Sequence, residues 1–595
     1  MKRRSAFLLL LALFAVSARV SAQAAAPAGA HAARPLGKPV LEAPTLHSLG
    51  VYWIIQGDDN QNATVAFSYR KAGEVVWKQT LPLFRVEKGA NKLERGESRV
   101  KVPPDAWLFA GSAVLLKPDT AYELRLRLSD PDGGAMEQQL QARTLAEPVA
   151  SSNAPQYHVV PGSGGGTGTR EDPFRGLEAA REKVVPGGIY LLHAGVYTGT
   201  FAASKSGEPG RPIIWRGAGD GEAVIDGAGQ ERAVDATDIH DVWFERLSIR
   251  NATWGLVANG SARIVVRRCH VYGVKNGITA TRNDNGQLAG IFIADNLLEG
   301  PFPWPPSTKG AGVDENRGIQ ISGTGQEVCY NRVRHFKDGI DTFPSPVCAA
   351  IDIHNNEISE CLDDGAEMDY SERNTRLFHN RFTDVFQGIS TQPVLGGPVY
   401  IFRNAVYNID VEPIKMHNSP SGALVFHNTF VKKGEPLLLY TSAPVHHCVL
   451  RNNLFIGTNG NYAYECDAPM VDCDFDYDGF GGGPWKQFLK WNNVRYATMA
   501  EVREKAPVYK HAVLIDAATV FASGIKPPDE WASLHTPASI DLRLRKGTAA
   551  LDAGLPLPGF NDGFAGKAPD LGAYEFGSPL PHYGPRPEPG KAARR

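Results

Sequence analysis

The feature that most constrains this chain of 595 residues is a repeat of the form Asn-x-apolar. The asparagines follow one another at intervals of 25, 24, 24, 24 and 25 residues, at Asn331, Asn356, Asn380, Asn404, Asn428 and Asn453. The same pattern occurs upstream at Asn296, and Cys269 holds the equivalent place before Val271. A period in this range is typical of a solenoid, in which each coil contacts only its neighbours.

Short alternating strands precede the asparagines, as in residues 399–403 and 423–427. Alternation points every second side chain inward, so stacked coils share one apolar core that a single coil cannot bury. Asn tolerates a tight turn, and its side-chain amide can bond to the same amide one coil away. We therefore predict an all-β chain whose main part, residues 155–576, is a right-handed parallel β-helix. The asparagines are assigned a structural role.

The first residues have the form of a signal peptide. Three basic residues at positions 2–4 precede an apolar run over residues 7–16, and residues 20–22 form a small-residue cleavage site. The apolar run is too short to span a bilayer. We predict a signal peptide over residues 1–22, an Ala- and Pro-rich linker over residues 23–36, and a mature protein that is secreted or periplasmic.

Residues 37–147 show a different pattern of alternating strands, such as residues 64–69 and 121–126. Residues 116–122, with the sequence LKPDTAY, resemble the L-x-P-x-T-x-Y corner of fibronectin type III domains. The resemblance implies a small β-sandwich in which the Tyr122 hydroxyl bonds to nearby backbone. We expect this domain to be a spacer or packing module. At the other end, the Pro-rich and basic residues 577–595 are predicted to form a disordered tail.

Composition restricts the partners of the chain. The formal net charge is −2, so no global field draws the chain to nucleic acid or to a membrane surface. We also expect the protein to be a monomer.

The seven cysteines are an odd number, which leaves at least one thiol unpaired in a monomer. Cys466 and Cys473 are close enough for a disulfide, but the cysteines are equally compatible with buried small residues in stacked turns.

The repeat register predicts a line of outward side chains along the solenoid. About eight residues after each Asn, a second strand opens with an inward apolar residue and then an outward one. On consecutive coils the outward residues are Asp341, Glu367, Ser390 and Lys415. The next outward positions hold Asp369, Gln392 and His417. Asp363 and Asp364 occupy the turn before this line, and nearby in sequence are Arg373 and Arg403.

The middle coils are therefore predicted to carry a cluster of carboxylates. Such a cluster repels itself unless a cation or protons offset it, and no basic residue occurs from 339 to 372. Carboxylate oxygens in a flexible shell suit Ca²⁺, whereas the absence of HExxH and CxxC gives zinc little support. We predict Ca²⁺ between the coils of Asp341 and Glu367. The alternative is a solvated face with ordinary charge pairs.

The segments 339–341, 362–367 and 414–416 resemble the metal and base pattern of the family 9 pectate lyases. Those enzymes are β-helix proteins with a calcium held by Asp residues and a lysine base. The resemblance covers roughly residues 338–417 and implies Lys415 as the catalytic base. The Ca²⁺ ligands that it implies are Asp341, Asp363, Asp364 and Glu367. We expect the substrate to contact neighbouring side chains, namely Asp369, Arg373, Gln392, Arg403 and His417.

Three functions remain open at this point. The first is a polysaccharide lyase on a uronic-acid polymer, in which a neutral Lys415 beside the cation removes the C5 proton and Ca²⁺-assisted β-elimination follows. Arg403 is a rival base, but its high pKa disfavours the neutral form. The second is a glycoside hydrolase with a carboxylate pair drawn from Asp364, Glu367 and Asp369. The third is a non-catalytic carbohydrate-binding protein, because the fold alone does not decide function.

Overall fold

The structure is a computed structural model that describes residues 31–90, 92–93, 96–97, 100–282, 290–342 and 348–588. The predicted signal peptide, residues 1–22, lies outside the described residues. The described chain is nearly all β and contains two short α-helices, Leu177–Arg181 and Met499–Lys505, and two 3₁₀ turns, Gly310–Gly312 and Pro537–Ser539. Among the helices in these ranges, none has the length and apolar character needed to cross a membrane.

Two antiparallel sheets form the N-terminal sandwich. The first contains Arg34–Pro35, Val40–Leu41, Leu49–Gln56, Phe84–Arg85 and Ala106–Ala113. The second contains Thr64–Lys71, Lys78–Gln79, Ala121–Ser129 and Ala135–Arg143. The alternating strands bury one apolar cluster that includes Trp53, Phe67 and Leu126. The Tyr122 hydroxyl accepts a hydrogen bond from the Lys117 N–H at 2.9 Å, which is the backbone tie expected of the corner. Lys92–Leu93 pairs in antiparallel fashion with Gly96–Glu97.

The main part of the chain is a parallel β-helix, as the repeat predicts. One sheet, called sheet I, contains the strands that precede the asparagines: Gln156–Val160, Phe174–Arg175, Ile189–Leu192, Ile213–Gly217, His240–Glu245, Ala262–Arg267, Phe292–Ala294, Glu327–Cys329, Asp352–His354, Thr375–Phe378, Leu395–Phe402, Ser421–Phe426, Val445–His446, Val449–Arg451, Met470–Val471 and Asp474–Asp476.

A second long sheet, called sheet II, contains the strands that follow the asparagines: Gly195–Thr198, Phe201–Ala202, Ala223–Asp235, Ser248–Val257, His270–Ala280, Leu297–Glu299, Arg317–Ile321, Arg332–Arg334, Asp338–Thr342, Glu357–Glu367, Arg381–Ser390, Ala405–Ile409, Ile414–Lys415, Thr429–Lys432, Leu454–Ile456, Gly479–Gly481 and Val513–Ile515. Smaller sheets complete the coils, with strands Gly323–Thr324, Cys348–Ala349, Leu437–Leu439, Gly460–Cys466, Trp485–Trp491 and Val494–Tyr496.

The asparagines form the predicted ladder inside the helix. Asn380 shows the pattern, because its Nδ2 donates to Asn404 Oδ1 and to the Ile353 carbonyl, both at 3.0 Å. The ladder starts at Asn296 and ends on a carboxyl group, that of Asp478. Its members are fully buried, so these hydrogen bonds satisfy amides that would otherwise destabilise the core.

The N-terminal sandwich packs on the outer face of sheet I. Thr45 and Ser48 donate hydrogen bonds to Asp352 Oδ2 at 2.6 and 2.9 Å. Arg376 Nη1 donates to the Ser112 Oγ at 2.9 Å. These sheet I side chains point outward from the β-helix but are buried by the sandwich. The outer face of sheet I is therefore covered on these coils.

The predicted linker extends too far along the chain. Its last residues already belong to the sandwich, because Arg34–Pro35 pairs with the strand Leu49–Gln56. The Ala33 N–H also donates to Asp130 Oδ2 at 2.6 Å. Strand pairing and this buried hydrogen bond hold residues 33–35 in place, so the sandwich begins before residue 37.

The predicted disordered tail is corrected over residues 577–588. Tyr583 is buried, and its hydroxyl lies 2.8 Å from that of Tyr574. The Arg586 guanidinium pairs with two carboxylates, that of Glu147 just after the last sandwich strand and that of Asp295 in the β-helix. Packing and charge pairing therefore fix this segment on the β-helix, while residues 589–595 lie outside the described part of the chain.

All seven cysteines carry free thiols. The Cys473 Sγ contacts the Val445 carbonyl at 3.3 Å, and the Cys466 Sγ contacts the Ala468 carbonyl at 4.0 Å. These two thiols therefore do not form the candidate disulfide. Six of the seven cysteines are buried, which agrees with the alternative of small residues packed in stacked turns.

Candidate functional site

The predicted line of side chains exists on sheet II. Asp341 pairs in register with Glu367, Glu367 with Ser390, and Ser390 with Lys415. The preceding residues Ile340, Ala366, Ile389 and Ile414 are fully buried in the core, as alternation requires. The stacking of the four residues on consecutive coils is thus confirmed.

A second line runs beside the first, three residues earlier on each strand. Asp364 pairs in register with Gln387, and Asp338 pairs with Arg317 on the preceding coil. The Asp364 N–H donates to Asp338 Oδ1 at 3.2 Å. Carboxylate oxygens of Asp338, Asp364 and Glu367 lie within 4.8 Å of one another. We call these three residues the acidic centre.

Three cations face the carboxylates of these coils. Lys415 Nζ donates to Asp364 Oδ2 at 2.7 Å. Arg317 Nε donates to Asp341 Oδ2 at 2.9 Å. The third cation is the amine of Lys337, which lies 3.7 Å from Asp363. The cations are outnumbered, because seven carboxyl groups gather here, those of Glu315, Asp338, Asp341, Asp363, Asp364, Glu367 and Asp369.

Burial and mutual repulsion make several of these carboxyl groups hard to ionise. Burial, followed by the charge of Asp364, raises the pKa of Asp338 well above its usual value and that of Asp369 to about 7. The same two causes raise the pKa of Asp363 to about 6. Burial is also the main reason that the pKa of Glu367 is well above its usual value. Such an excess of carboxyl groups favours either bound protons or a bound cation.

Lys415 is held in its charged form by this cluster. Burial alone would lower the pKa of its amine, but the charges of Asp364 and Asp363 outweigh burial and raise it. This direction is opposite to the depressed pKa expected beside a bound cation. As long as Asp364 carries the ion pair, Lys415 is a proton donor rather than a proton acceptor.

The donor set of the acidic centre fits calcium. It consists of oxygen atoms, which Ca²⁺ prefers, and it contains no thiol or imidazole. One of its oxygens, Asp364 Oδ1, is buried and lacks a hydrogen-bond partner in the described structure. A buried carboxylate oxygen without a partner is costly, and a cation would remove that cost.

The four predicted ligands do not all lie at this centre. The structure brings Asp364 and Glu367 together with Asp338, which the sequence reasoning did not select. Asp341 instead pairs with Arg317 and with the amide of Gln320 at 3.0 Å. Asp363 lies beside Lys337, and 13% of its side chain is exposed.

Three of the predicted substrate-contacting residues lie beside the cluster. Asp369 accepts hydrogen bonds from the Ser390 hydroxyl at 2.8 Å and from the Gln392 N–H at 2.6 Å. His417 lies 3.0 Å from a carboxylate oxygen of Glu412, one coil beyond Gln392. These side chains continue the polar surface from the acidic centre toward the following turn.

The two predicted arginines are not part of this surface, which corrects their assignment. Arg373 pairs with Glu42 of the sandwich at 2.7 Å and with Glu372 at 2.8 Å, so it belongs to the interface between the domains. Arg403 has a φ of 54°, and its guanidinium donates to the Ala573 carbonyl at 3.4 Å. The C-terminal segment therefore covers Arg403, and neither arginine is available to a substrate on sheet II.

One sequence signal could have identified Asp338. The spacing of Asp338 and Asp341 matches that of Asp364 and Glu367, and the two pairs lie one coil apart.

A cavity of about 550 Å³ lies elsewhere, against Trp243 and the segment that follows the last sandwich strand. None of the predicted site residues lines that cavity.

Comparisons with known proteins agree with this fold. The profile of a family described as "Right handed beta helix region" matches residues 232–393, which identifies the hand of the helix. The "Uncharacterized protein YwoF" of Bacillus subtilis strain 168 is 29% identical over 164 residues. This match covers 23% of the present chain and 34% of that protein, so the chain spans about a third of the length of this relative.

Three solved structures match parts of the chain at low TM-scores. "The complex structure of XylC with xylose" has 12% identity, covers 55% of this chain and 75% of its own, and has a TM-score of 0.36. "Rhamnogalacturonan lyase" has 13% identity, covers 55% and 87%, and has a TM-score of 0.32. The catalytic unit of a GH87 α-1,3-glucanase from Streptomyces thermodiastaticus strain HF3-3 has 11% identity, covers 79% and 96%, and has a TM-score of 0.34. Likenesses of this size carry no functional argument. The fold and the site define a right-handed parallel β-helix protein with an acidic centre on sheet II.

Proposed function

We propose that this protein is a carbohydrate-active enzyme that cleaves a uronic-acid-containing polysaccharide by Ca²⁺-assisted β-elimination. One observation carries the proposal: Lys415, the amine on the sheet II line, contacts Asp364 of the acidic centre at 2.7 Å. A lyase of this kind needs a base beside a group that neutralises the substrate carboxylate. Lys415 lies two coils beyond Glu367, and its contact with Asp364 supports such an arrangement.

In this proposal Asp338, Asp364 and Glu367 hold the calcium ion. The chemistry that Ca²⁺ supplies when bound is neutralisation of the uronate carboxylate, which makes the adjacent C5 proton more acidic. Asp364 has two roles, because its Oδ2 also accepts a hydrogen bond from the Lys415 amine. Lys415 accepts a proton only when Asp364 no longer stabilises the ammonium form. Asp369, Gln392 and His417 are the side chains placed to orient the sugar.

A glycoside hydrolase on the same surface is the second candidate, favoured by the carboxyl group of Asp369. Its pKa is raised to about 7 by burial and by Asp364, so it holds a proton near neutral pH as a general acid must. A partner carboxylate would come from Asp364 or Glu367. This reaction would leave reducing ends without an unsaturated product.

The two candidates are separated by a screen of acidic polysaccharides with and without Ca²⁺. We expect Ca²⁺-dependent products that absorb in the ultraviolet, because β-elimination creates a conjugated double bond. Reducing ends without absorbance would support the hydrolase. If neither signal appears on any substrate, the result would contradict an enzymatic role. Glu367→Gln should lose the activity, whereas Glu530→Gln, at an exposed carboxylate that pairs with Lys433, should retain it.

The proposal includes export from the cytoplasm, to the cell exterior or the periplasm. The basic, apolar and small-residue pattern of residues 1–22 supports it. Mass spectrometry of the protein recovered from the expressing cells should find a mature chain that begins at Gln23. An uncleaved chain retained in the cytoplasm would contradict this part of the proposal.

A further inference from the structure

A group of metal-ligating side chains lies on sheet I, on a later coil than the acidic centre of sheet II, where the sandwich meets the β-helix. His446 ends the strand Val445–His446, which pairs with Ser421 on one side and with Val471 on the other. His447 follows with a φ of 49°, in the left-handed region. Successive side chains of a regular strand point to opposite faces, but this turn brings both imidazoles to one side.

The third member comes from the sandwich. Glu87 follows the strand Phe84–Arg85, and its carboxylate lies between the two imidazoles. Its Oε1 is 3.2 Å from His446 Nδ1, and its Oε2 is 3.6 Å from His447 Nδ1. The Ser421 hydroxyl donates to Glu87 Oε2 at 2.7 Å and fixes the carboxylate. Glu87, His446 and His447 are called the junction triad.

The geometry of the junction triad suits a metal better than a set of hydrogen bonds. Both Nδ1 atoms are buried, and neither makes a hydrogen bond of acceptable angle in the described structure. Ligand atoms around tetrahedral zinc, at bonds of about 2.0–2.1 Å, are separated by about 3.4 Å. The observed separations are 3.2 Å to Glu87 Oε1 and 3.6 Å to Glu87 Oε2, each close to this value although they involve different oxygens. One ligand atom from each of the three residues lies within 4.8 Å of the others, so a common ion can lie between them.

A carboxylate on the far side of His447 supports this assignment. Asp472 Oδ2 lies 3.8 Å from His447 Nε2, longer than a hydrogen bond but near enough for its charge to favour a proton on that nitrogen. The tautomer with the proton on Nε2 leaves Nδ1 free to bind a metal. Histidine ligands commonly have such a carboxylate at the second nitrogen.

We propose that the junction triad is a site for a divalent transition-metal ion of the zinc class. Two imidazole nitrogens and one carboxylate oxygen form a donor set that zinc accepts, with a fourth position open to water. Because Glu87 belongs to the sandwich and the histidines to the β-helix, the ion joins the two domains. The site is separate from the acidic centre, whose oxygen donors suit calcium.

The test is calorimetric titration of the full chain, freed of metal by chelation, with Zn²⁺ in the presence of excess Ca²⁺. We expect one equivalent of Zn²⁺ to bind and to raise the melting temperature. His446→Gln and His447→Asn should each abolish binding; Asn is chosen because it tolerates the left-handed backbone at position 447. Asp472→Asn should weaken binding about tenfold, as loss of an outer carboxylate does.

His511→Gln is the matched control, because His511 also pairs with a carboxylate, that of Asp476, but belongs to none of the metal-ligating groups among the described residues. It should bind Zn²⁺ as the unchanged chain does. Co²⁺ in place of Zn²⁺ should give the visible absorption of a tetrahedral site, which reports the ligand geometry directly. Circular dichroism of each metal-free variant checks that it is folded. Absence of Zn²⁺ binding, or binding that persists in both histidine variants, would overturn the proposal and leave a histidine–carboxylate ion pair only.

Discussion

Two regions of the β-helix bury carboxylates, and they differ in what offsets the charge. Under the sandwich, both oxygens of Asp352 are paired, one with Arg376 and the other with Thr45 and Ser48. On sheet II the carboxyl groups outnumber the cations, and Asp364 Oδ1 is without a hydrogen-bond partner among the described atoms. Buried charge alone therefore does not distinguish a functional site. The imbalance of charge does, because it requires a ligand or a proton that the chain itself does not supply.

The largest expected effect is on catalysis at the sheet II cluster, where carboxyl groups outnumber cations and which is called the unbalanced region. Lys415→Met should lower kcat on the native polysaccharide by about 10²- to 10⁴-fold, the usual contribution of a general base. Lys433→Met is the matched control on the same helix, since Lys433 is exposed and pairs with Glu530. Steady-state kinetics of both variants provide the measurement. Full activity of Lys415→Met would contradict the lyase mechanism.

The region around Asp352 under the sandwich, where both carboxylate oxygens are paired, is called the balanced region. Removing a cation from it should instead affect stability. Arg376 is fully buried, and Arg376→Met would leave the buried carboxylate of Asp352 without its counter-charge. Breaking such a pair costs about 3–5 kcal/mol of unfolding free energy. In Ca²⁺-free buffer Glu367→Gln should be neutral or stabilising, because it removes one of several repelling carboxyl groups. Urea unfolding of the two variants tests the contrast. Equal losses in both would show that the two regions do not differ.

Adding calcium should stabilise only the unbalanced region. At a free concentration of 100 times its dissociation constant, a ligand that binds the folded state adds about 2.7 kcal/mol to the unfolding free energy. We expect this gain in the unchanged chain and in Glu530→Gln, and its loss in Asp338→Asn and Glu367→Gln. Thermal unfolding with and without Ca²⁺ measures it. A gain that survives in Asp338→Asn would place the ion elsewhere.

The sequence predicts the fold and the register of the line because both follow from local periods. Alternation of side chains and a repeat of 24 to 25 residues suffice to align Asp341, Glu367, Ser390 and Lys415. The features of the site that the sequence does not predict depend on segments that are distant along the chain. Arg317 opens a preceding strand and Lys337 lies in the bend before Asp338; both partly neutralise the cluster, and both lie outside the stretch 339–372.

Distant segments also explain the two misplaced arginines. Arg373 is close in sequence to the acidic centre, but it is covered by the sandwich through Glu42. Arg403 is covered by the C-terminal segment at Ala573. Neither docking surface has a periodic signature, because docking depends on the tertiary placement of loops rather than on the repeat. Sequence proximity therefore predicts contact only within the stacked coils.

The last expected effect concerns a carboxyl group that is offset by a proton instead of a cation. Asp478 ends the Asn ladder, and its Oδ1 accepts hydrogen bonds from the N–H and Nδ2 of Asn453 at 2.7 and 3.0 Å. Burial raises its pKa to about 8, while these hydrogen bonds lower it by a smaller amount. Its Oδ2 is buried and accepts no hydrogen bond within the described structure.

This raised pKa fixes the sign of a pH effect on stability. Between the unfolded pKa of about 4 and the folded pKa of about 8, the folded chain holds a proton that the unfolded chain has lost. The contribution of Asp478 to stability is therefore complete below about pH 4 and falls by up to about 1.4 kcal/mol per pH unit as the pH rises toward 8. Asp478→Asn should remove this decline, because an amide continues the ladder without titrating. Urea unfolding of this variant and of the unchanged chain from pH 5 to 8 gives the difference, with Asp529→Asn as the control. A difference that stays constant with pH would show that Asp478 titrates normally and that the ladder does not end on a protonated carboxyl group.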